Sequence, residues 1–549
     1  MVQYLISKCK GIKISSLGSN LASNWFIPFS AVSYLLLNTG LPSQKWSEAD
    51  SFFAIIPAFF LLLILSAICD PFIEFFKTCS IRIKVISLLS AIGINYSTWL
   101  IMRYYPYVFG GNCFIFRTVF MILGIPFVTA ACMLFWSRLE VLVRSVFSSI
   151  DFKKWELIVY AVVFLINCVL ITVSFLSSRA FTGMNNQPDI IYTSDSTSLV
   201  KFNAYILLDH PENDIRQPLF GVFSAPLMGI PCLIGNLIPG IPMAVVLGYA
   251  QLFLLIFTTF VLSTQLKLNP VQRTCFFVLV SASYQFLLFS IMLEQYITAY
   301  FWLVMTIYFF NKEKTVNTLS VAAGGTLLTS GVLVPFVFLP KKFSFDGFFS
   351  LLKKLLGFGV DFVLVMVMMG RTHIILKSID NLVLCSVYTG ESVGLFKRIL
   401  QYFNFIGSCF IAPAAEVQIY EDNLSSWQMS EVVSVNLLGV IVLLISLVSF
   451  FITRKDKISK FALGWMLYSF VILVLVGWGT SENGLILYAL YFGWAFFVLV
   501  FNLLKTIENK MKAKWLVPVC TVILSGLMLF YNIPAISELV KFAIAAYHV

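Results

Sequence analysis

The chain has 549 residues, of which 59% are hydrophobic and only 11% are charged, and its mean hydropathy is +0.92. Soluble domains carry about 25% charged residues, so this composition excludes a soluble globular protein and predicts a membrane protein with most of its surface in lipid. The net charge of +11 does not indicate nucleic-acid binding, because the basic residues cluster in short segments between apolar runs, as in cytoplasmic loops of membrane proteins.

Apolar runs of a length that can cross a bilayer, about 20 residues, recur along the chain. The start of the chain carries Lys8, Lys10 and Lys13 and shows no clear cleavage site, which predicts a cytoplasmic N-terminus and no cleaved signal peptide. The length rule predicts an all-α polytopic protein with about 13 transmembrane helices. These spans are predicted at 21–39, 51–69, 84–102, 115–136, 156–176, 241–263, 273–291, 295–311, 356–371, 432–452, 462–478, 485–505 and 515–532.

With these spans the basic clusters, including Lys267 and Arg273, all fall on the cytoplasmic side. The run 316–340 has basic residues on both flanks and a glycine-containing centre at 322–331, so it is predicted to be a re-entrant or broken hairpin. Broken backbone at that depth requires shielding by protein or by a water-filled cavity. A single span with one misassigned lysine pair is the alternative.

The spans group into three regions. Residues 1–155 form an N-terminal membrane region of four spans, 156–340 form a core that includes a first outer loop at 177–240, and 341–549 form a C-terminal region with an outer loop at 372–431.

Two apolar segments are not counted as spans. Segment 219–237 is interrupted by Gly and Pro and is predicted to be an interfacial or partly buried helix that caps an outer cavity. Segment 533–549 is predicted to lie outside, as an interfacial helix.

Candidate chemistry concentrates on the outer face. The first outer loop contains Asp189 and Asp195, and Asp195 is expected close to the membrane surface. Glu294 lies at the predicted outer junction of two spans, and Glu482 lies in a glycine-rich outer turn. A single such acid is usually a solvated loop charge, but several on one face predict a shared cavity.

The order of these features resembles the GT-C superfamily of membrane glycosyltransferases, which includes protein O-mannosyltransferases and lipid A aminoarabinose transferases. The matching residues are Asp195, the run Arg216-Gln217-Pro218-Leu219 and Glu294, and the resemblance covers about 156–311. It implies an enzyme with GT-C-like architecture whose extracytoplasmic loops carry the site.

The resemblance also implies a reaction, the transfer of a sugar from a polyprenyl-phosphate donor to a lipid-linked or cell-envelope glycan. Asp195 would be the base that activates the acceptor hydroxyl. Arg216, His210 or Lys201 would hold the donor phosphate, and Glu294 would orient a hydroxyl. Asp189, Gln217 and Glu482 complete the predicted substrate-binding set.

The chain departs from the family pattern at three points. Ser196 follows Asp195 where the family often has a second acid, so no metal site is predicted and a divalent cation is left open. Gln217 stands where a His or Lys often precedes the Pro-Leu element, and four spans precede the expected first one. The absence of targeting signals fits a bacterial cytoplasmic membrane with membrane lipids, donor and acceptor as the partners.

Two other classes stay open. A transporter or lipid flippase requires polar residues inside spans, of which Asp361 is the best case. An oligosaccharide ligase or polymerase would use a late outer loop to bind pyrophosphate. The candidate residues in 372–431 and at its edge are Arg371, His373, Lys377, Lys397 and Arg398. An ordinary solvated loop is the preferred interpretation of this segment.

Overall fold

The structure is a computed structural model that describes most of the chain after residue 74. The described residues are 75–104, 114–182, 190–194, 196–201, 205–206, 216–310, 313–332, isolated positions within 347–383, and 386–390, 392–419, 424–481 and 483–548. Within this part of the chain, seven helices are long and apolar enough to cross a membrane, or eight if one bent pair is a single span. The chain is therefore an all-α membrane protein as predicted, whereas the count of 13 spans and the GT-C fold stay predictions.

Ten α-helices lie in the described residues between 81 and 326. They are α1 (Ile81–Tyr104), α2 (Phe114–Ser148), α3 (Lys154–Ser177), α4 (Ser196–Lys201), α5 (Phe220–Leu237), α6 (Met243–Thr264), α7 (Pro270–Ser281), α8 (Tyr284–Ile291), α9 (Tyr296–Phe309) and α10 (Glu313–Thr326). The later elements include one β-hairpin. They are α11 (Leu395–Ser408), β1 (Ala415–Ile419), β2 (Ser425–Met429), α12 (Leu437–Thr453), α13 (Lys457–Phe470), α14 (Ala489–Met511) and α15 (Leu516–Ala546). Short 3-10 turns lie at Arg179–Phe181, Leu328–Val332, Ser386–Tyr388 and Leu485–Tyr488, and a π-helical turn at Val471–Val476 extends α13.

The chain divides into two compact units. The first comprises Met1–Ser145, Asn203–Pro239 and Leu356–Ile379, and the second comprises Val146–Phe202, Gly240–Leu355 and Asp380–Val549. The three regions predicted from the grouping of spans stay a prediction.

In the first unit, α1 and α5 cross at two glycines. A Cβ added to Gly93 would lie 1.9 Å from the carbonyl oxygen of Gly229, so the two backbones are in direct contact. Asn236 Nδ2 of α5 donates to Ser97 Oγ of α1 at 2.7 Å. Helix α5 is continuous through two prolines, and its length and composition make it a candidate span. The sequence predicted an interfacial or partly buried helix here and no span.

The second unit is a bundle arranged around the segment Leu485–Met511. This segment is almost entirely buried, whereas most of the surfaces of α3 and α15 are exposed. Apolar side chains on the exposed faces of these two peripheral helices match the lipid-facing surface expected of a membrane protein. Helix α15 continues through Pro534 to Ala546, so much of the predicted outer segment 533–549 extends the last helix.

The predicted span 273–291 is broken. Helices α7 and α8 meet at an angle of 67°. Asn532 of α15 is fully buried beside the break, where its Nδ2 donates to the carbonyl oxygens of Ala282 (3.0 Å) and Phe410 (2.8 Å). Its Oδ1 accepts a hydrogen bond from the backbone N–H of Ala412 at 2.9 Å. One amide side chain therefore satisfies the carbonyl of Ala282 at the break and two backbone groups in the segment that follows α11.

Two further segments refine the sequence predictions. Helix α10 ends at Thr326, inside the predicted centre at 322–331, but 333–346 lie outside the described residues and the hairpin stays a prediction. The described end of the segment 372–431 forms α11 and an antiparallel hairpin in which Ala415 pairs with Met429. The expectation of an ordinary solvated loop is wrong for this part, because α11 buries one face against the bundle.

Arg273 also differs from its expected setting. It was predicted as one of the cytoplasmic loop charges, but it lies within α7 and is almost fully buried. Its guanidinium pairs with the carboxylate of Glu156 in α3, which compensates the burial of both charges.

Candidate functional site

The segment that leads to Asp195 is a strained turn. Tyr192 and Thr193 both have positive φ, 50° and 59°, which is unusual for residues other than glycine and most unfavourable for a β-branched side chain such as Thr193. Such strain persists only where surrounding structure enforces it, and it concentrates at functional sites. The turn therefore indicates that the chain is held in a defined path immediately before the predicted base.

The hairpin strand β2 supplies the enforcing contacts. The backbone N–H of Tyr192 donates to the carbonyl of Trp427 at 2.9 Å, and the N–H of Trp427 donates to the carbonyl of Ile190 at 2.7 Å. These bonds attach the segment 190–192 to β2 as a short parallel bridge. The hairpin thus positions the segment that precedes Asp195.

The side chain of Tyr192 adds a second attachment. Its hydroxyl accepts a hydrogen bond from Trp427 Nε1 at 3.1 Å and pairs with the hydroxyl of Tyr284, the first residue of α8, at 2.8 Å. Burial raises the pKa of Tyr192, and the smaller effects of the hydrogen bonds to Tyr284 and Trp427 oppose the rise. Burial therefore favours the neutral phenol, whose hydrogen bonds attach the turn to Trp427 and Tyr284.

The turn that contains Glu482 is also built from positive-φ residues. Gly477 (φ 77°), Gly479 (φ 74°) and Asn483 (φ 52°) allow the chain to reverse tightly after α13. Asn483 Nδ2 donates to the carbonyls of Met429 (3.2 Å) and Ser430 (2.9 Å), which fixes this turn to the end of β2.

The two turns are neighbours. A Cβ added to Gly484 would lie 3.1 Å from Thr193 Oγ1. Thr193 precedes Asp195 by two residues and Gly484 follows Glu482 by two. The structure therefore brings together the chain segments that flank two of the predicted site residues.

Glu294 lies at the junction between α8 and α9, as the sequence predicts, and is fully buried. Gln251 of α6 fixes its backbone, since Gln251 Nε2 donates to the carbonyl of Glu294 at 2.9 Å. Glu294 Oε1 accepts a hydrogen bond from the N–H of Gln295 at 3.0 Å. A charged carboxylate in the interior of a membrane protein costs free energy. Because Glu294 is fully buried, its interpretation as a solvated loop charge is wrong.

Aromatic contacts connect the Glu294 junction to the Glu482 turn. The ring of Tyr296, two residues after Glu294, packs edge-on against Tyr488 with 5.4 Å between centroids. Trp478 Nε1 donates to the hydroxyl of Tyr488 at 2.7 Å. All three segments that carry Asp195, Glu294 and Glu482 therefore belong to one packed region of the second unit.

The structure describes only some of the other predicted site residues. Asp189, Asp195, His210 and Glu482 lie outside the described residues, and Lys201 is described only as the last residue of α4. In the first unit, Arg216 is half-buried and Gln217 is buried, just before α5. Their roles in binding substrate stay predictions.

Arg398 is a residue whose role sequence reasoning missed. In the ligase alternative it is a candidate for binding pyrophosphate, but its guanidinium donates to backbone carbonyls, including those of Val393 (2.9 Å) and Gly390. Two longer bonds reach the carbonyls of Val474 and Leu475 at the end of the π-helical turn. Its donors therefore stabilise the segment that leads into the Glu482 turn. The adjacent Gly477 was the feature of the sequence that indicated this role.

Of the other members of that set, Lys397 alone is described. Lys397 forms an exposed ion pair with Glu431, and this contact holds the pKa of Glu431 below its usual range. The remaining three, Arg371, His373 and Lys377, lie outside the described residues.

Within the described part of the chain, no group of three or more His, Cys, Asp or Glu side chains is arranged to hold a metal ion. Comparison with protein-family models finds no match. Comparisons with curated proteins and with solved structures also find no match.

Proposed function

We propose that the chain is a membrane glycosyltransferase with a GT-C-like architecture, which transfers a sugar from a polyprenyl-phosphate donor to a lipid-linked or cell-envelope glycan. The reaction would take place at the extracytoplasmic face of a bacterial cytoplasmic membrane, with the N-terminus in the cytoplasm. The observation that carries the proposal is the strained turn at Tyr192 and Thr193, which leads to Asp195 and lies against Gly484 in the Glu482 turn.

The proposed chemistry needs a base held at a fixed position. Asp195 accepts the proton of an acceptor hydroxyl while that oxygen forms a bond to the anomeric carbon of the sugar. The bond from the anomeric carbon to the donor phosphate breaks, and the polyprenyl phosphate leaves with the electron pair. Arg216, His210 or Lys201 stabilises the charge on the departing phosphate.

A second, buried acid has a role in the proposed reaction. The carboxylate of Glu294 is fully buried at the junction of α8 and α9, and in the proposed reaction it accepts a hydrogen bond from a sugar hydroxyl. Burial favours the neutral phenol of Tyr192, so in this proposal it supplies alignment and leaves the role of base to a carboxylate.

The break between α7 and α8 favours a second candidate, a flippase for lipid-linked saccharides. Broken helices and buried polar groups such as Glu294 and Asn532 are features that transporters use at their binding sites. The ligase alternative is weaker, because the donors of Arg398 are used by backbone carbonyls.

The test is a product assay with the full chain in liposomes. The vesicles receive labelled polyprenyl-phosphate sugars together with a membrane glycolipid extract, and mass spectrometry detects new glycosides while a leaflet-accessibility assay follows the label. A new glycosidic bond supports the transferase. Movement of the label between leaflets without a new bond would replace the proposal with the flippase.

A further inference from the structure

A basic cleft lies in the second unit at the end of α3 opposite the candidate site. Helix α3 has 24 residues, which at about 1.5 Å per residue separates its two ends by about 36 Å. The cleft is a cavity of about 740 Å³, bordered by the first residues of α3 and α7, the end of α14 and the segment that leads into α15. The lining residues that matter below are Lys153, Trp155, Gln272, Glu508, Lys512 and Lys514.

The charge of the cleft is positive. Lys512 and Lys514 are exposed and form no ion pair with any residue in the described part of the chain. Lys153 lies 2.9 Å from the carboxylate of Asp151, so its charge is partly compensated.

Glu508 also lines the cleft, but its carboxylate is hydrogen-bonded within the protein. The carboxylate of Glu508 is buried, and it accepts hydrogen bonds from Gln272 Nε2 (2.6 Å) and from the backbone N–H of Val517 (2.8 Å). Both oxygens of this acid are therefore used within the protein, whereas Lys512 and Lys514 are exposed.

Helix ends strengthen the positive potential. Three helices begin at the cleft, α3 at Lys154, α7 at Pro270 and α15 at Leu516, whereas α14 ends there. Each helix N-terminus carries a partial positive charge, and together these outweigh the partial negative charge at the end of α14. Some of the N–H groups are already capped within the protein, that of Gln272 by Asn269 Oδ1 and that of Val517 by Glu508.

Apolar surface continues from the cleft along the outside of the bundle. Leu157 and Ile158, in the first turn of α3, are 60% and 64% exposed, and Val522 of α15 is 72% exposed. Trp155 and Trp515 are also exposed at the same level as the lysines. Tryptophan, lysine and then aliphatic side chains follow in the order expected at the boundary between headgroups and hydrocarbon.

We propose that this cleft binds the phosphate headgroup of an anionic phospholipid, whose acyl chains lie along the exposed faces of α3 and α15. The positive charge alone would suit any phosphate, but the adjoining apolar faces suit a lipid. Basic cavities between membrane helices recognise lipid headgroups by this combination of contacts. The site is independent of the proposed glycosyl transfer, since it lies at the other end of the unit.

The test is lipid binding by the full chain, delipidated in detergent and titrated by native mass spectrometry. The probes are phosphatidylglycerol, phosphatidylcholine and inorganic phosphate. The variant is Lys512→Gln with Lys514→Gln, and the matched control is Lys455→Gln with Lys460→Gln, two exposed lysines that do not line the cleft.

The expected result is tighter binding of phosphatidylglycerol than of phosphatidylcholine. A lysine near an anionic lipid contributes about a fivefold change in affinity, so the cleft variant should bind phosphatidylglycerol roughly 30-fold more weakly. The control variant should bind as wild type does. Equal losses in the two variants, equal binding of the two lipids, or inorganic phosphate that displaces the lipid at similar concentration would each overturn the proposal.

Discussion

The guanidinium of Arg273 and the carboxylate of Glu156 form a two-bond ion pair from which solvent is almost completely excluded. Nε and the second terminal nitrogen of Arg273 lie 2.7 and 2.6 Å from the two carboxylate oxygens. The same guanidinium also donates to the carbonyl of Asp151 at 2.8 Å. The pair therefore ties α3 to α7, the first half of the broken span.

Replacement of one partner should strongly destabilise the protein. Glu156→Gln leaves the charge of Arg273 buried without its counterion and should lower the free energy of unfolding by about 3–5 kcal/mol. Unfolding in mixed micelles measures this effect. The matched control is Glu140→Gln, which removes the exposed ion pair with Arg144 and should cost less than about 1 kcal/mol.

A double variant separates the contribution of the ion pair to stability from the contribution of side-chain packing. Glu156→Leu with Arg273→Met removes both charges and should destabilise the protein less than Glu156→Gln does, because apolar replacements of a buried pair are often tolerated. If the double variant loses as much stability as Glu156→Leu and Arg273→Met lose together as single variants, the two charges are not coupled as the structure indicates.

Gly93→Ala should disrupt the crossing of α1 and α5. The added Cβ would meet the carbonyl oxygen of Gly229, so the helices must separate, at a cost of about 1–3 kcal/mol or more. Gly526→Ala is the control, because its Cβ meets nothing within 4 Å, and it should raise stability by up to about 1 kcal/mol. Thermal unfolding compares the two, and equal stability of the two variants would contradict the close crossing.

Thr193→Gly tests the strained turn. Glycine adopts positive φ readily, so stability should stay within about 1 kcal/mol of wild type or rise. Sugar transfer should fall about tenfold or more, because the approach to Asp195 is no longer rigid and small displacements of a reacting group are costly. Thr182→Gly, in the same loop but at an ordinary φ of −103°, is the control and should transfer sugar at the wild-type rate. Unchanged transfer by Thr193→Gly would remove the turn from the mechanism.

Glu294→Gln tests the buried acid. The amide keeps the size and shape of the side chain but removes its charge, and unfolding measured on the same preparation separates a loss of stability from a loss of transfer. Transfer should fall roughly 100-fold or more if the carboxylate orders a reacting hydroxyl. Glu416→Gln changes an exposed acid of β1 and should have no effect. A Glu294→Gln protein with the transfer rate of wild type would limit Glu294 to a structural role.

Long apolar runs predicted several helices well, because the signal is local in the chain. The predicted spans 156–176 and 241–263 correspond to Lys154–Ser177 and Met243–Thr264. The break in the predicted span 273–291 gave no such signal, since it depends on Asn532, which lies about 250 positions later and donates to Ala282. Periodicity cannot reveal a backbone group that is satisfied by a distant side chain.

The same limit applies to the candidate site. The position of Glu294 at a junction of helices follows from the apolar pattern, but its burial depends on Gln251 and on α6. The path before Asp195 depends on Trp427, a residue in a segment expected to be a solvated loop. Charges in the sequence therefore selected the segments of the candidate site, whereas the contacts that hold these segments together required the structure.

The most direct test of the proposed transferase is the rate of sugar transfer by Asp195→Asn in liposomes, with unfolding and donor binding measured on the same preparation. Asparagine keeps the size of the side chain but cannot accept the proton, so transfer should fall at least about 100-fold while the affinity for the polyprenyl-phosphate donor is retained. Transfer at the wild-type rate by a folded Asp195→Asn protein would contradict the assignment of Asp195 as the base.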